Sequence, residues 1–256
     1  MTVKPSPELS DLINATHLAV ISGAPDPDNP ALLDLARAEI FGTAFPISPS
    51  LGLFATAHHV YRDAAEYAAS KTNGSVAIGR IMTKIQQIVF VEDKEEYPAI
   101  DFALLKCTGL KTPKLAFDFR PLDYLDEVFA CGFPFAITVV QAEAYAYYLR
   151  AFAGHIVTRR GLTELPAIPP GYETTFVPPP GLSGAPLITA GSHLAIRGIV
   201  LKEHIAELAH VPERKMNLGI ALDIEELLTI DSRLVGGSVA RMIFERDKLD
   251  RGERTP

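Results

Sequence analysis

The pattern of apolar and polar positions predicts many short strands and few helices. Apolar runs of about four to eight residues recur along the chain, and most are bounded by glycine, proline, asparagine or aspartate, as is typical of strands joined by turns. Residues 41–47 and 52–56 are predicted to form a hairpin, whereas the alanines of residues 60–70 follow a helical spacing. Further strands are predicted at residues 17–22, 75–81, 86–91, 102–106, 127–131, 145–152, 155–157, 174–177, 185–189 and 194–201.

The composition fits a globular chain that is rich in turns. It has 256 residues, of which 48% are hydrophobic, together with 20 prolines and 18 glycines. That length is enough for two packed units of about a hundred residues each. Residues 117–123 are the candidate connector, residues 223–228 a candidate short helix, and the charged residues 245–256 are predicted to be a frayed tail.

Ser183 lies in a glycine-rich segment that has the features of a nucleophile loop. Glycines on both sides allow a tight turn with positive φ, leave the hydroxyl uncovered and place amide N–H groups beside it. A serine hydroxyl is a weak nucleophile at neutral pH, so acyl transfer needs an imidazole to take its proton and a carboxylate to orient that imidazole. The segment reads Pro180-Gly181-Leu182-Ser183-Gly184-Ala185-Pro186-Leu187.

Both partners occur upstream, in the order His, Asp, Ser. Two adjacent histidines, His58 and His59, follow an apolar run, and Asp101 opens another apolar run. The register counted from Thr56 favours His59 over His58 as the base. This order suits two successive β-barrels, with the histidine and the aspartate in the first and Ser183 in the second.

The chain resembles the chymotrypsin-like (trypsin-like) serine peptidases, particularly their bacterial branch. Four ordered stretches carry the resemblance, with weaker similarities between them, over roughly residues 15–228. They are Gly42-Thr43-Ala44-Phe45, Thr56-Ala57-His58-His59-Val60, Asp101-Phe102-Ala103-Leu104-Leu105 and Gly181-Leu182-Ser183-Gly184-Ala185-Pro186-Leu187.

The resemblance implies a fold, a domain organisation and an activity. The implied fold is all-β, with two packed six-stranded antiparallel β-barrels and short helices. Residues 1–120 would hold an N-terminal extension and the first barrel, residues 121–232 the second barrel, and residues 233–256 a C-terminal tail. The implied activity is that of a serine endopeptidase, which hydrolyses a polypeptide substrate through an acyl-enzyme and needs no cofactor.

The resemblance also assigns roles to individual residues. His59, Asp101 and Ser183 would form the catalytic triad, and the backbone N–H groups of Gly181 and Ser183 would form the oxyanion hole. Residues 201–203 would pair with the substrate as an added strand. Because residue 177 is not acidic, a preference for lysine or arginine before the scissile bond is not supported, and a small or apolar side chain is expected. The implied substrate-binding residues are Val177, Leu201, Lys202, Glu203, Gly219 and Ala221.

Two positions depart from the family pattern. Leu182 stands where trypsin has an aspartate that receives a newly cleaved N-terminal ammonium, so activation by N-terminal cleavage is not expected. Ala185 replaces a family glycine. Together with the doubled histidine, these departures keep open a second interpretation, in which the fold serves as a catalytically weak or inactive binding or scaffold module.

Two other nucleophile arrangements are disfavoured. The nucleophile elbow of α/β hydrolases needs a strand, a turn and a helix around the serine, with the acid and the histidine following it. Here prolines precede Ser183 and a strand-like run follows it. A cysteine nucleophile is disfavoured because neither Cys107 nor Cys131 lies in the nucleophile segment.

Charge and motif content argue against several other partners. The formal net charge of −7 disfavours binding to nucleic acid or to an anionic membrane surface. No apolar stretch reaches the length of a membrane span, and no signal-peptide pattern opens the chain, so a cytoplasmic location is expected, in which two isolated cysteines stay reduced. No metal site is expected, since three further histidines lack nearby ligands at zinc spacing. These histidines are His193, His204 and His210.

Overall fold

The computed structural model describes residues 18–30, 32–35, 37–81, 85–133, 149–161, 169–190, 194–208 and 211–250. Within these residues strands dominate, with two longer helices and three short 3-10 helices, at Pro49–Leu51, Pro98–Ile100 and Ile224–Thr229. The helices are α1, His58–Ala69, and α2, Val239–Asp250. The strands are β1 Leu18–Gly23, β2 Glu39–Ser48, β3 Leu53–Ala57, β4 Ser75–Ile81, β5 Ile85–Phe90, β6 Asp93–Tyr97, β7 Phe102–Lys106, β8 Glu127–Gly132, β9 Arg150–Arg160, β10 Gly171–Thr174, β11 Pro186–Ala190, β12 Leu194–Leu208, β13 Val211–Asp223, β14 Asp231–Ser232 and β15 Gly237–Ser238.

The first β unit is an open sheet, which corrects the expectation of a closed six-stranded barrel. Among the described residues, seven strands lie in the order β5-β4-β1-β2-β3-β7-β6. Between the two edge strands the main chain changes partners: the N–H of Val91 donates to Val76 on β4, and that of Glu92 donates to Lys106 on β7. Because β5 and β6 each pair on one side only, the unit is a half-barrel.

The second β unit is the closed six-stranded barrel that the resemblance implied. Its strands follow the order β10-β13-β12-β11-β8-β9, and pairing of β9 with β10 closes it. The longest pairing joins β12 to β13. Together, the half-barrel and the barrel form a mostly-β chymotrypsin-like fold with few helices.

Several predicted elements are confirmed. β2 and β3 form the predicted hairpin, and α1 covers the predicted helical segment. Four of the residues of α1 are buried and recur at helical spacing, so this face packs against the sheet while the other side faces water. They are Val60, Tyr61, Ala64 and Ala68.

Other elements differ from the predictions. The strand predicted at 174–177 ends at Thr174, and β9 is one strand that includes the segment predicted at 155–157. The helix predicted at 223–228 is a 3-10 helix. Residues 245–250 belong to α2 and are not a frayed tail, whereas 251–256 lie outside the described residues. The predicted strand residues 145–148 also lie outside them.

Apolar side chains from both β units pack into one continuous core. Phe45, Phe54 and Phe102 of the half-barrel belong to the same buried cluster as Ile199 and Leu201 of the closed barrel. Burial of this shared surface holds the two units together, since apolar burial is the main favourable contribution to packing. The two units therefore share a buried apolar interface.

No helix of the described residues combines the length and apolar character needed to span a bilayer. In the same part of the chain, histidine, cysteine and carboxylate side chains do not gather in a group of three or more that could hold a metal ion. His193 and His210 lie outside the described residues.

Candidate active site

His59 and Asp101 are brought together by neighbouring strands. His59 is the second residue of α1, directly after β3, and Asp101 directly precedes β7, the strand that pairs with β3. Asp101 has left-handed backbone angles, φ 53 and ψ 44, and its carbonyl accepts a hydrogen bond of 3.0 Å from the N–H of His58. The turn thus bends the start of β7 back against the first turn of α1.

The side chains of these two residues form a histidine–carboxylate pair. His59 Nδ1 lies 2.9 Å from Asp101 Oδ2 and 3.1 Å from Oδ1, and the His59 backbone N–H donates to Oδ1 at 2.9 Å. A carboxylate only accepts hydrogen bonds, so Nδ1 of a neutral imidazole carries the proton and Nε2 keeps its lone pair. This arrangement leaves Nε2 able to act as a base.

The protonation of Asp101 is set by two opposing effects. Burial acts to raise the pKa of its carboxyl, but the hydrogen bonds and the positive charge offered by His59 outweigh burial and leave the pKa below its usual value. The carboxylate is therefore ionised at neutral pH. It can both orient the imidazole and stabilise its charged form.

Ser183 lies in a tight loop that β2 holds in place. The N–H of Thr43 donates to the Ser183 carbonyl at 2.8 Å, and Thr43 Oγ1 donates to the Gly181 carbonyl at 2.9 Å. At Gly184 φ is +84, and a Cβ there would lie 2.1 Å from the Thr43 carbonyl oxygen and 2.3 Å from Thr56 Oγ1. A side chain at this position would push the loop away from β2, which explains the glycine after the serine.

The Ser183 hydroxyl faces β12. Its Oγ donates to the Leu201 carbonyl at 2.5 Å, and among the described residues no hydrogen bond joins it to His59. Leu201 is the extra residue of a β-bulge, because the register between β12 and β13 shifts between Val200 and Lys202. Bulges turn groups out of the ladder and are common beside active sites. Here the bulge presents its carbonyl to the serine.

Two amide groups of this loop are unused within the described residues. The N–H groups of Leu182 and Gly184 are not among them, because they donate to the carbonyls of Pro179 and Val200, respectively. The N–H groups of Gly181 and Ser183 make no hydrogen bond with any described residue. They are the pair assigned by resemblance to the oxyanion hole, and they are free to donate to a developing negative charge.

Leu182 anchors this loop by burial. Its side chain is 0% exposed and belongs to the core of the closed barrel, together with Val128, Tyr172 and Leu187. In trypsin the equivalent position forms a salt bridge with the new N-terminus. In this chain apolar contact anchors the loop at this position.

Replacing Leu182 with alanine is therefore expected to affect both stability and the loop. Truncating a fully buried leucine costs about 2–5 kcal/mol of unfolding free energy. Leu187→Ala is the matched control, because Leu187 is equally buried in the same cluster but lies in β11. Both variants are expected to lose stability in urea titrations, whereas only Leu182→Ala is expected to react at least about tenfold more slowly with a serine-directed fluorophosphonate. Equal reaction rates in the two folded variants would contradict an anchoring role.

The residues assigned by resemblance to the primary specificity pocket lie on segments that pack against each other. Val177 is half-buried, and Gly219 and Ala221 are buried on β13. A Cβ at Gly219 would lie 2.3 Å from the Phe176 carbonyl oxygen and 2.9 Å from Pro178 Cδ. The segment that contains Val177 therefore packs directly on β13 at Gly219, and a larger residue there would displace it.

An open pocket lies against the histidine–carboxylate pair. It has a volume of about 500 Å³. Lys202 and Glu203 follow the bulge and are exposed, and Lys202 faces this pocket. Arg62 lines it too and was not foreseen, although its position three residues after His59 puts it on the same face of α1. The lining residues are His58, His59, Arg62, Pro98, Ala99, Asp101, Pro169 and Lys202.

The neighbouring His58 has a different partner. Its Nε2 lies 3.1 Å from Glu96 Oε2, and Glu96 also pairs with Lys94 at 2.5 Å. Glu96 belongs to β6, a strand that the sequence analysis did not predict. His58 thus ties α1 to the edge of the half-barrel, and His59 is the histidine that meets Asp101.

The two cysteines are buried free thiols. Burial raises the pKa of Cys107 to about 12 and that of Cys131 to about 11. Thiols with such pKa values are protonated at neutral pH and are poor nucleophiles.

Comparisons with known proteins agree on this fold. In solved structures, the HtrA-type protease AlgW with a decapeptide superposes with a TM-score of 0.56 at 16% identity, over 95% of this chain and 68% of AlgW. AlgW with a tripeptide superposes with a TM-score of 0.55 at 17% identity, over 96% of this chain and 65% of the AlgW chain. This chain therefore spans just under two thirds of the length of that AlgW chain. The active form of the Rv3671c protease from M. tuberculosis gives 0.51 at 20% identity, over 88% and 85% of the two chains.

A search of curated proteins finds no match. The model of the trypsin-like peptidase domain, however, matches residues 42–195, a segment that contains His59, Asp101 and Ser183 and more than half of the chain. On this match and on the fold, the chain belongs to the trypsin-like peptidase family.

Proposed function

We propose that this chain is a serine endopeptidase that hydrolyses peptide bonds through a Ser183–His59–Asp101 triad. The observation that carries the proposal is the short contact between His59 Nδ1 and Asp101, 2.9 Å, next to a serine loop with two unused N–H groups. A base, its orienting acid, a nucleophile and anion-stabilising donors are the parts that acyl transfer requires.

The chemistry begins with a change in the hydroxyl's partner. Ser183 Oγ leaves the Leu201 carbonyl by rotation about χ1 and donates to His59 Nε2. It then attacks the substrate carbonyl carbon while the imidazole takes its proton. The tetrahedral oxyanion accepts hydrogen bonds from the N–H groups of Gly181 and Ser183. The imidazolium next protonates the leaving amine, which gives the acyl-enzyme, and a water activated by His59 hydrolyses that ester.

The substrate would bind as an extended strand along residues 201–203. The Leu201 carbonyl, turned outward by the bulge, is a ready acceptor for a substrate N–H. Substrate binding would thereby compete with Ser183 for this carbonyl and release the hydroxyl toward the base. With no acidic side chain at Val177 and with Gly219 tightly packed, we propose a small or apolar residue before the scissile bond.

A fluorophosphonate probe tests the proposal on the full chain. The probe is expected to label the protein stoichiometrically, and peptide mass spectrometry is expected to locate the adduct on Ser183, because the reagent reacts with serines activated by a base and an oxyanion hole.

The same probe tests the alternative interpretation, a peptide-binding module without hydrolytic activity. In this structure Ser183 Oγ donates a hydrogen bond to the Leu201 carbonyl and not to His59. If the chain binds extended peptides but the probe leaves Ser183 unmodified, the binding module replaces the peptidase as the conclusion.

A further inference from the structure

The open pocket beside His59 and Asp101 contains one cation that no described side chain neutralises. Lys202 lines the pocket, and no acidic group among the described residues lies within salt-bridge distance of its ammonium. Its neighbour Glu203 is adjacent in a strand, where successive side chains point to opposite faces. A free ammonium at the mouth of a concave site attracts an anionic partner.

The other charges around this pocket are already paired. Asp101 is bound by His59, and Glu96 by His58 and Lys94. Arg62 binds Asp63 at 2.8 Å and lies 3.9 Å from Glu66, both on α1. Lys202 is therefore the charge that is left to meet an incoming group. Asp101 senses it only at longer range, where the positive charge is a minor cause of its lowered pKa.

The direction of the substrate strand decides which side chain meets Lys202. A peptide that adds an antiparallel strand along residues 201–203 places one residue opposite each of them. If the residue before the scissile bond, P1, lies opposite Leu201 beside Ser183, the preceding residue, P2, lies opposite Lys202. Side chains directly opposite each other in an antiparallel pair lie on the same face of the sheet, about 4.5–5.5 Å apart at Cβ. The P2 side chain thus enters the pocket that Lys202 lines.

We infer that Lys202 selects substrates with a carboxylate side chain, glutamate or aspartate, at P2. This inference rests on the proposed function, because it uses the substrate strand of that site. Glutamate suits the pocket well, since a volume of about 500 Å³ leaves room for a long side chain. A basic P2 residue would meet the lysine as a like charge and bind poorly.

The strength of this preference is limited by solvent. Lys202 is exposed, so water and salt screen its charge, and exposed ion pairs contribute modestly. The expected preference for glutamate over glutamine at P2 is about fivefold in kcat/KM.

Peptide sets that differ only at P2 test the inference. Each set has one small or apolar residue at P1, which is the same throughout that set, and P2 is glutamate, glutamine or lysine. For the unmodified chain, kcat/KM is expected to decrease in that order, and the preference is expected to weaken as salt rises from about 0.05 M to about 0.5 M. Lys202→Gln is expected to abolish the preference and Lys202→Glu to reverse it. Lys71→Gln, which removes the same charge just beyond the end of α1, is the matched control and is expected to retain it.

A binding measurement separates this inference from the proposed function. The same peptides, labelled with a fluorophore, are titrated with the Ser183→Ala chain, and fluorescence anisotropy reports affinity without chemistry. Hydrolysis that depends on Ser183 but is equal for glutamate and glutamine overturns the role of Lys202 and leaves the peptidase standing. Tighter binding of glutamate peptides that Lys202→Gln abolishes supports the role of Lys202 even if no peptide is cleaved. If neither the affinity for the peptides nor kcat/KM depends on the P2 residue, Lys202 does not select the substrate.

Discussion

Ser183→Ala is expected to lower kcat for peptide hydrolysis by roughly 10⁴-fold or more while leaving the fold intact. The substitution removes the proposed nucleophile, and no other described hydroxyl lies in the loop held by Thr43. The hydrogen bond from the Ser183 hydroxyl to the Leu201 carbonyl is lost as well. That carbonyl can instead accept a hydrogen bond from water or from the substrate. Circular dichroism and urea midpoints are therefore expected to stay close to those of the unmodified chain.

Ser50→Ala is the matched control for this change, because Ser50 is an exposed serine in the turn after β2, where it has no part in the proposed chemistry. It is expected to hydrolyse peptides at the unmodified rate. Full activity in the Ser183 variant would remove this serine from the mechanism. A loss shared by both variants would point to damage to the fold.

His59→Ala is expected to match the serine variant in its loss of activity, because it deletes the base that Asp101 orients. The double variant His59→Ala/Ser183→Ala is expected to be hardly worse than either single one, since residues that act as a unit in catalysis are strongly non-additive. Single-turnover hydrolysis of a fluorogenic peptide measures all three chains.

The adjacent histidine provides the control for register. His58→Ala removes the contact with Glu96, which ties α1 to β6, and is expected to reduce activity by less than about tenfold through packing alone. Its stability loss is expected to exceed that of His59→Ala. A complete loss confined to the His58 variant would assign the base to that residue instead.

Local rules predicted the parts of the fold in which short motifs and packing agree. The hairpin before His59 and the helix after it were both predictable, because apolar alternation and then helical spacing are each strong there and the structure buries those same positions. The pairing of β3 with β7 was not visible in either strand, yet it is what brings His59 to Asp101.

The missed elements have polar sequences. β6 reads Asp-Lys-Glu-Glu-Tyr and is stabilised by cross-strand pairing with β7 and by ion pairs such as Arg233 with Asp93, 2.6 Å apart. β13 begins with Val-Pro-Glu-Arg-Lys, and its pairing with β12 sets its conformation. Strand propensity depends on such neighbours more than helix propensity does, so single-chain patterns fail there. The openness of the half-barrel likewise depends on long-range pairing.

The candidate site shows the same division. Motifs in the sequence predict the serine loop, the histidine and the aspartate, and the structure brings His59 and Asp101 within hydrogen-bond distance of each other. The sequence does not predict the hydrogen-bond partner of the Ser183 hydroxyl, because that partner depends on a one-residue bulge at Leu201. A register shift of this kind cannot be read from the order of residue types. The sequence also does not show that the charge of Lys202 lacks a partner among the described residues, whereas the spacing of Arg62 from His59 on α1 could have indicated that Arg62 lines the same pocket.

Thr43 lies in the half-barrel, yet its N–H and hydroxyl hold the carbonyls of Ser183 and Gly181 in the closed barrel. The loop that carries the proposed nucleophile thus takes its shape from a neighbour across the seam between the two units. A small slippage along that seam would disable the loop while every strand stays paired. Heat would then inactivate the protein at a lower temperature than the one at which it unfolds. A ligand or a mutation far from Ser183 could also abolish activity by separating the two units.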